Sequence, residues 1–431
     1  MHRLRVDSQV ARELNREAVF NLLRARRVIS RIELVRGSGL SKATISGIVD
    51  EFISEGYVRT LGPGESKLGR RPVLLEFVPE ARYAIGVGLS TNTCRAVLVN
   101  LAAEPVRSLT APVVGRGPDE AIEAAVGLIS ELKSGLPESA LLGIGVGTPG
   151  LVDSKRGVIQ MAPDVGWYEV PVGEHLAGHF GTPVSVVNRA KAAACGEARC
   201  GAGRDVDDLV YMSVSTGIAA GIVIGGRLYR GVSMSEGELG HVTVQADGPL
   251  CGCGNRGCLQ TLAASDAVLS RVREQLRKGS SPLLEALTND RPDLLTLELV
   301  GQAIAANDPL VLPVLAEMSS YLGMAAANLV NILNPRMLIL GGTVIETMPG
   351  LVPAIQSEIR HRAVSVSAAA VEVVPSQLGR DAVPIGAAAF LLSQISVVGS
   401  YSLLPFAYAV PSVILPPTRP VADHSRNGSG R

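Results

Sequence analysis

The chain has 431 residues, 47% of them hydrophobic and only 3% aromatic, and its 40 Lys and Arg balance 40 Asp and Glu. That length exceeds one ordinary domain, and the composition requires large cores built from Ala, Val, Leu and Ile. Zero net charge excludes a chain coated in basic surface, yet residues 1–80 hold fourteen Lys or Arg against ten Asp or Glu, a net of +4 that leaves −4 elsewhere. The start of the chain lacks the apolar core of a signal peptide, and no apolar run reaches the about 18 residues that span a bilayer.

Asn15 to Arg26 reads as a helix with Ala18, Val19, Leu22 and Leu23 facing inward. Ser30 is the expected N-cap of a short second helix carrying Ile32, Leu34 and Val35, which Gly37 ends. After a Ser-Gly-Leu turn, Ser41 caps a third helix running to about Glu55, with Ile45, Ile48, Val49, Phe52 and Ile53 on its buried face. Lys42, Ala43, Thr44 and Ser46 are left outward near its start. Gly56 stops it, and Tyr57–Leu61 and Pro72–Phe77 read as strands joined by a Gly/Pro/Arg loop. This order predicts a winged helix-turn-helix over residues 1–80, whose last helix enters the major groove of a double-stranded DNA operator. Ser41, Lys42, Thr44 and Ser46 are the expected DNA contacts, with Arg70 and Arg71 on phosphates or in a minor groove. A three-helix protein-interaction module with a solvated basic loop shares this outline.

From Tyr83 the pattern becomes α/β. Tyr83–Ser90 and Thr93–Leu101 are strands around a polar turn, Pro118–Ser134 a helix, and Leu141–Gly147 a buried strand ending in Gly-Thr-Pro-Gly. Val184–Val187 is another strand, followed by an Ala-rich helix from Ala190. The motif then returns: strand Leu209–Ser213, turn Ser215-Thr216-Gly217, strand Gly221–Ile224. Two such units predict a duplicated α/β fold with a central cleft, where Gly-rich turns can cradle phosphates or simply connect strands.

His241, Cys251, Cys253 and Cys258 supply one nitrogen and three sulfurs within eighteen residues, the donor set of a closed, structural Zn2+ site. A buried thiol cluster, or a disulfide with a spare cysteine, is the alternative. A zinc-type cluster suits a reducing compartment, so the chain is expected in the cytoplasm. Cys94, Cys195 and Cys200 lie in apolar contexts and are expected to be small core residues.

On Gly237-Glu-Leu-Gly-His241, the Cys251–Cys258 cluster, Ser30-Arg-Ile-Glu-Leu-Val, Gly39-Leu-Ser-Lys-Ala-Thr-Ile-Ser, Gly69-Arg-Arg-Pro and Asn334-Pro-Arg … Leu340-Gly-Gly, the chain resembles the ROK family in its transcriptional-repressor branch, over about residues 10–395. The resemblance implies an actin-like, ribonuclease-H-like body of two lobes: about 81–190 with a last helix at 383–395, and 191–382. It implies a sugar between the lobes, held by an Asn-Asp pair, the Glu and His of the Gly-Glu-x-Gly-His motif, and a Glu after the last cysteine. Asn188, Glu238 and His241 match. Arg189 stands where the family's general base should be, and Gln260 replaces the Glu. Gly88 and Ser215 depart from the phosphate loops. Kinase activity is therefore expected to be lost, and the alternative is a ROK sugar kinase with an accessory N-terminal domain.

Arg189 admits two accounts. Either it binds an anionic effector, such as a sugar phosphate or sugar acid, or it pairs internally with Glu238 or Glu197. Trp167 is either a loop-packing aromatic or a ligand contact. The tail, 396–431, reads as disordered and has no assigned role; a short partner-binding segment is one account of it. The expected protein is a non-enzymatic, DNA-binding regulator of carbohydrate genes, a homodimer or homotetramer matched to a palindromic operator.

Overall fold

A computed structural model describes residues 8–63, 73–115, 117–394 and 413–414. The N-terminal module consists of α1 (Ser8–Arg26), β1 (Val28–Ser30), α2 (Arg31–Ser38), α3 (Lys42–Ser54), β2 (Val58–Pro63) and β3 (Val73–Phe77). Ser30 and Glu33 form a reciprocal cap: Glu33 N–H donates to Ser30 Oγ at 3.3 Å, and Ser30 N–H to Glu33 Oε2 at 2.8 Å. Such caps contribute about 1 kcal/mol each. The helix runs past Gly37, because Gly39 takes the left-handed φ of 71° and closes it. Ser41 caps α3, accepting from Thr44 N–H at 3.1 Å.

Strand β1 is absent from the sequence reading; it pairs antiparallel with β3 and makes a three-stranded sheet of order β1-β3-β2. Phe20 rather than Ala18 lies in the core, and its ring meets Phe52, Tyr57 and Phe77 edge-on at 5.9, 5.7 and 5.5 Å. The aromatic centre shifts the buried stripe of α1 by one position, so Ala18 is exposed. Ile32 is also exposed.

Lobe 1 is built on β4 (Tyr83–Gly88), β5 (Thr93–Asn100), β6 (Pro105–Pro112), β7 (Leu141–Thr148) and β11 (Val184–Asn188). A side sheet of β8 (Leu151–Asp153), β9 (Val158–Ala162) and β10 (Trp167–Val170) lies between the last two in sequence. Helices α4 (Pro118–Lys133) and α5 (Val172–Phe180) complete it. Lobe 2 holds β12 (Leu209–Val214), β13 (Ile218–Ile224), β14 (Arg227–Leu228), β15 (Met337–Gly341) and β16 (Glu372–Pro375). The main sheets run β6-β5-β4-β7-β11 and β14-β13-β12-β15-β16. In both, the first three strands are antiparallel neighbours and the last two join in parallel. The fold is thus duplicated, as two strand–turn–strand motifs predict.

Two helices lie at the seam: α6 (Arg189–Cys200) and Ala382–Gln394. They touch backbone to backbone. A Cβ on Gly386 would collide with the carbonyl oxygen of Ala192, and one on Gly86 with that of Pro384. Small residues let both sheets close on the same helix pair. Ile385, Ala388, Leu391 and Leu392 of the second helix share one apolar cluster with Val97 and Val99 of β5 and with Val19, Leu23 and Phe52 of the N-terminal module. The module and lobe 1 therefore share a continuous core. Trp167 is 2% exposed in the lobe 1 core, which is the packing account of that residue. Within the tail, Val413–Ile414 pairs antiparallel with Val184 and Ser185 of β11; residues 395–412 and 415–431, on which the rest of the expectation of disorder falls, lie outside the described residues.

Candidate ligand cleft and metal centre

The cysteine cluster occupies a loop of lobe 2 between β13 and the short helix Gln260–Ala263. Cys251 N–H donates to Asn255 O at 2.7 Å and Gly254 N–H to Cys251 O at 2.9 Å, which curls the loop on itself. Gly257, at φ 65°, passes so close to Gln245 O that any side chain would collide. The donor atoms of His241, Cys251, Cys253 and Cys258 all fall within 4.8 Å of one another. Cys253 and Cys258 sulfurs are 3.7 Å apart, and His241 Nδ1 is 3.6 Å from Cys251 Sγ. Ligands on arms of about 2.3 Å in a tetrahedron stand roughly 3.8 Å apart, so the spacing fits a single ion. All six cysteines are free thiols, which removes the disulfide alternative. A backbone hydrogen bond at Asn255 draws the Cys253 thiol down to about 7, while burial pushes Cys258 up to about 12.

Gln260, read in the sequence as a ligand contact, donates its Nε2 to Cys251 Sγ at 3.6 Å. A carboxylate there could not donate to a thiolate. Glu238 is half-buried, and its side chain has no hydrogen bond among the described residues; burial raises its carboxyl, and His241 and Lys191 partly oppose that. Asp164, between β9 and β10, approaches from lobe 1, its Oδ2 3.9 Å from where a Cβ on Gly217 would stand. Glu238 thus has His241 and Asp164 as neighbours, so acceptors and a ring nitrogen lie near one another, the donor–acceptor mix that hydroxyl groups require.

At the end of β11, Asn188 caps α6. Its Oδ1 accepts from Ala190 N–H at 2.8 Å and its Nδ2 donates to Gly150 O at 3.0 Å. Lys191, 6% exposed, binds Glu236 at 2.8 Å and Met234 O at 2.6 Å, pinning the loop before Glu238. The sequence reading missed Lys191 and Asp164 because both signals are purely spatial.

The Arg189 side chain has neither hydrogen bond nor ion pair among the described residues. Its guanidinium is lowered by burial, with Tyr211 opposing. Internal pairing fails on both expected partners. Glu197 accepts instead from Ser376 Oγ at 2.5 Å, Ala202 N–H at 2.8 Å and Leu378 N–H at 3.0 Å, and no ion pair joins Glu238 to Arg189 among the described residues. Ser215 Oγ accepts from Thr343 N–H at 3.1 Å, occupying a backbone donor beside Gly342. Gly88 lies against Val383 and Pro384, each 3.4 Å from its would-be Cβ.

On the N-terminal module, Ser41, Lys42 and Ala43 are exposed, and Thr44 and Ser46 are half-buried. Arg70 and Arg71 lie outside the described residues.

The ROK family model matches residues 84–394. The xylose repressor of Bacillus subtilis is 30% identical over 388 residues, covering 90% of this chain and 97% of that protein. The DNA-binding transcriptional dual regulator NagC of Escherichia coli is 28% identical, covering 86% and 90%. Among solved structures, a ROK family transcriptional regulator, homologous to the E. coli Mlc protein, superposes with a TM-score of 0.76 at 27% identity, covering 88% and 95%. A ROK glucokinase from Streptomyces griseus, complexed with glucose and AMPPNP, gives 0.65 at 27% identity but covers only 72% of this chain and 98% of its own.

Proposed function

The chain belongs to the ROK family, and from that premise we propose that it is a sequence-specific, DNA-binding repressor of carbohydrate genes, switched by a sugar-type effector. The observation that carries this reading is the exposed, small-residue start of α3 on a module whose core runs into lobe 1. Residues 1–80 are the winged helix-turn-helix, with Ser41, Lys42, Thr44, Ser46, Arg70 and Arg71 toward the operator. Residues 81–395 are the sensor. The likeness to the xylose repressor covers 90% of the chain and that to the dual regulator NagC 86%, whereas the glucokinase likeness covers 72%.

The effector lies between the lobes, against Asn188, Glu238 and His241, with Gln260 acting through Cys251. A bound Zn2+ on His241, Cys251, Cys253 and Cys258 supplies a structural cross-link for the loop that carries Glu238. Arg189, without an internal partner, is placed for a carboxylate or phosphate on the effector. Phosphoryl transfer is lost: Arg189 cannot take a proton from a hydroxyl, and Ser215 fills a backbone donor that a phosphate would use. A ligand releases DNA only if it binds the low-affinity conformation better, and lobe closure about the α6 seam is the two-state element. The protein works in the cytoplasm as a homodimer or homotetramer; among the described residues no helix is long and apolar enough to cross a membrane.

The test is genome-wide mapping of bound DNA, followed by gel shifts with neutral sugars, sugar phosphates and sugar acids. Palindromic sites released by one metabolite establish the switch. Sugar-dependent ATP turnover that is lost on removing Asn188 would overturn it in favour of a kinase.

A further inference from the structure

Hairpin turns normally lie on the surface, where water meets their backbone groups. The turn between β5 and β6, Asn100-Leu-Ala-Ala-Glu104, does not. Asn100, Leu101, Ala102 and Ala103 are buried, and of these five residues only Glu104 reaches water. The turn supplies polar partners of its own. Asn100 Oδ1 accepts from the N–H groups of Ala102 and Glu104 at 3.0 and 3.1 Å, and Ala103 N–H donates to Asn100 O at 2.9 Å. Ala103 takes a left-handed φ of 64°, which an alanine holds only where its surroundings enforce it.

Two bodies hold this turn. On one side is the N-terminal module. Leu101 N–H donates to Pro79 O at 3.0 Å, just past β3, and Glu104 pairs with Arg27, the residue between α1 and β1. Arg27 is itself left-handed at φ 63°. Its carbonyl accepts from Phe77 N–H at 2.8 Å, and its guanidinium lies 5.8 Å from the centre of the Phe77 ring. Asn100 Nδ2 donates to the other Glu104 oxygen at 2.9 Å, which fixes the carboxylate toward Arg27. On the other side is the C-terminal end of α6, where the Cys200 thiol donates to Ala103 O at 3.5 Å. Leu101 and Cys200 pack in the same apolar cluster as Val19 and Leu23 of α1 and Phe77 of β3. Helix α6 runs from the Asn188 cap to Cys200, and its twelve residues span about 18 Å. A displacement at its Asn188 end therefore reappears at Cys200, and a close-packed contact there cannot absorb it by compression.

We propose that the buried Asn100–Glu104 turn is the coupling between α6 and the N-terminal module, with Glu104 as the positioning residue that makes the end of α1 follow the end of α6. Three anchors on one rigid turn, at Pro79, Arg27 and Cys200, leave it no way to shift against one body without moving the other. Its use as a relay from effector to operator rests on the regulator reading above; the mechanical link does not.

The test is amide hydrogen exchange, followed by mass spectrometry on the full-length protein without DNA or metabolite, so its outcome is independent of the regulator reading. Glu104→Gln removes the ion pair with Arg27. Exchange should quicken about 5-fold at the Arg27 amide, which bonds Leu23 O, and by the same factor at the Gly201 and Gly203 amides, which bond Glu197 O at the end of α6. Arg27→Gln, on the other partner, should give the same pattern, and it carries the test where Glu104→Gln fails to fold. The double variant should exchange no faster than either single one, because both remove one coupling. A merely local role quickens exchange at the turn and at Arg27 while the end of α6 keeps its parent rate, and that result overturns the proposal. Additive effects of the two substitutions, or parent rates throughout, overturn it as well.

Discussion

The Glu238 side and the Ser215 side of lobe 2 contrast in what their polar groups contact. On the Glu238 side, His241 and three cysteines form a compact donor cluster, Lys191 and Glu236 pin the approaching loop, and the Glu238 carboxyl has no ion pair among the described residues. On the Ser215 side, the serine hydroxyl occupies a backbone donor and Arg189 stands at the first residue of α6. One half offers groups that the proposed sensor would use on hydroxyls, and in the other a backbone donor is already engaged by a side chain. The proposed ligand binding without phosphoryl transfer rests on this contrast, because the two tasks would use different residues beside a shared helix.

The largest effect expected from breaking this contrast is on the metal side. Cys258→Ser, or removal of the metal by chelation, is expected to cost on the order of 4 kcal/mol, read as a lower denaturant midpoint, with the effector response lost. Next is the seam that both halves share: Gly386→Val drives a side chain into the Ala192 carbonyl and should lose about 3 kcal/mol by thermal or urea melts.

Glu238→Gln sharpens the comparison. Effector affinity should fall about 100-fold by calorimetry, since a charge-assisted hydrogen bond is lost. The ligand-free variant should meanwhile be more stable than the parent at neutral pH. The Glu238 carboxyl is raised by burial, so its protonated form favours the fold. That contribution is fully present below the ordinary carboxylate pKa and is lost as pH rises through the raised value. The gap between parent and variant should close on acidification, and a gap that widens would count against an unpaired buried charge.

Ser215→Gly frees the Thr343 N–H. Weak nucleotide binding is expected by fluorescence titration, with no sugar-dependent ATP turnover, because Arg189 still replaces the base. Turnover in this variant would show that the two halves are less separated than their contacts imply. The smallest effect is at the DNA face: Lys42→Ala should weaken operator binding almost uniformly across sequences and reduce the salt slope by about one.

Local chemistry was legible in the chain itself. The helix caps at Ser30 and Ser41, the exposed start of α3 and the His-Cys cluster follow from residues a few positions apart, where turn geometry and ligand count leave little freedom. The strand–turn–strand repeat announced a duplicated fold for the same reason. What the chain could not announce depends on contacts between distant segments. Phe20 rather than Ala18 entered the core because Phe52, Tyr57 and Phe77 surround it, and β1 exists only because β3 returns beside it. Gln260 turned toward Cys251, Lys191 toward Glu236, and Arg189 toward neither of its expected carboxylates. Sequence spacing determines which groups can be neighbours along a helix or loop. Packing of two lobes on one helix pair decides which charges are paired and which are left for a ligand, since burial sets the cost of each unpaired group.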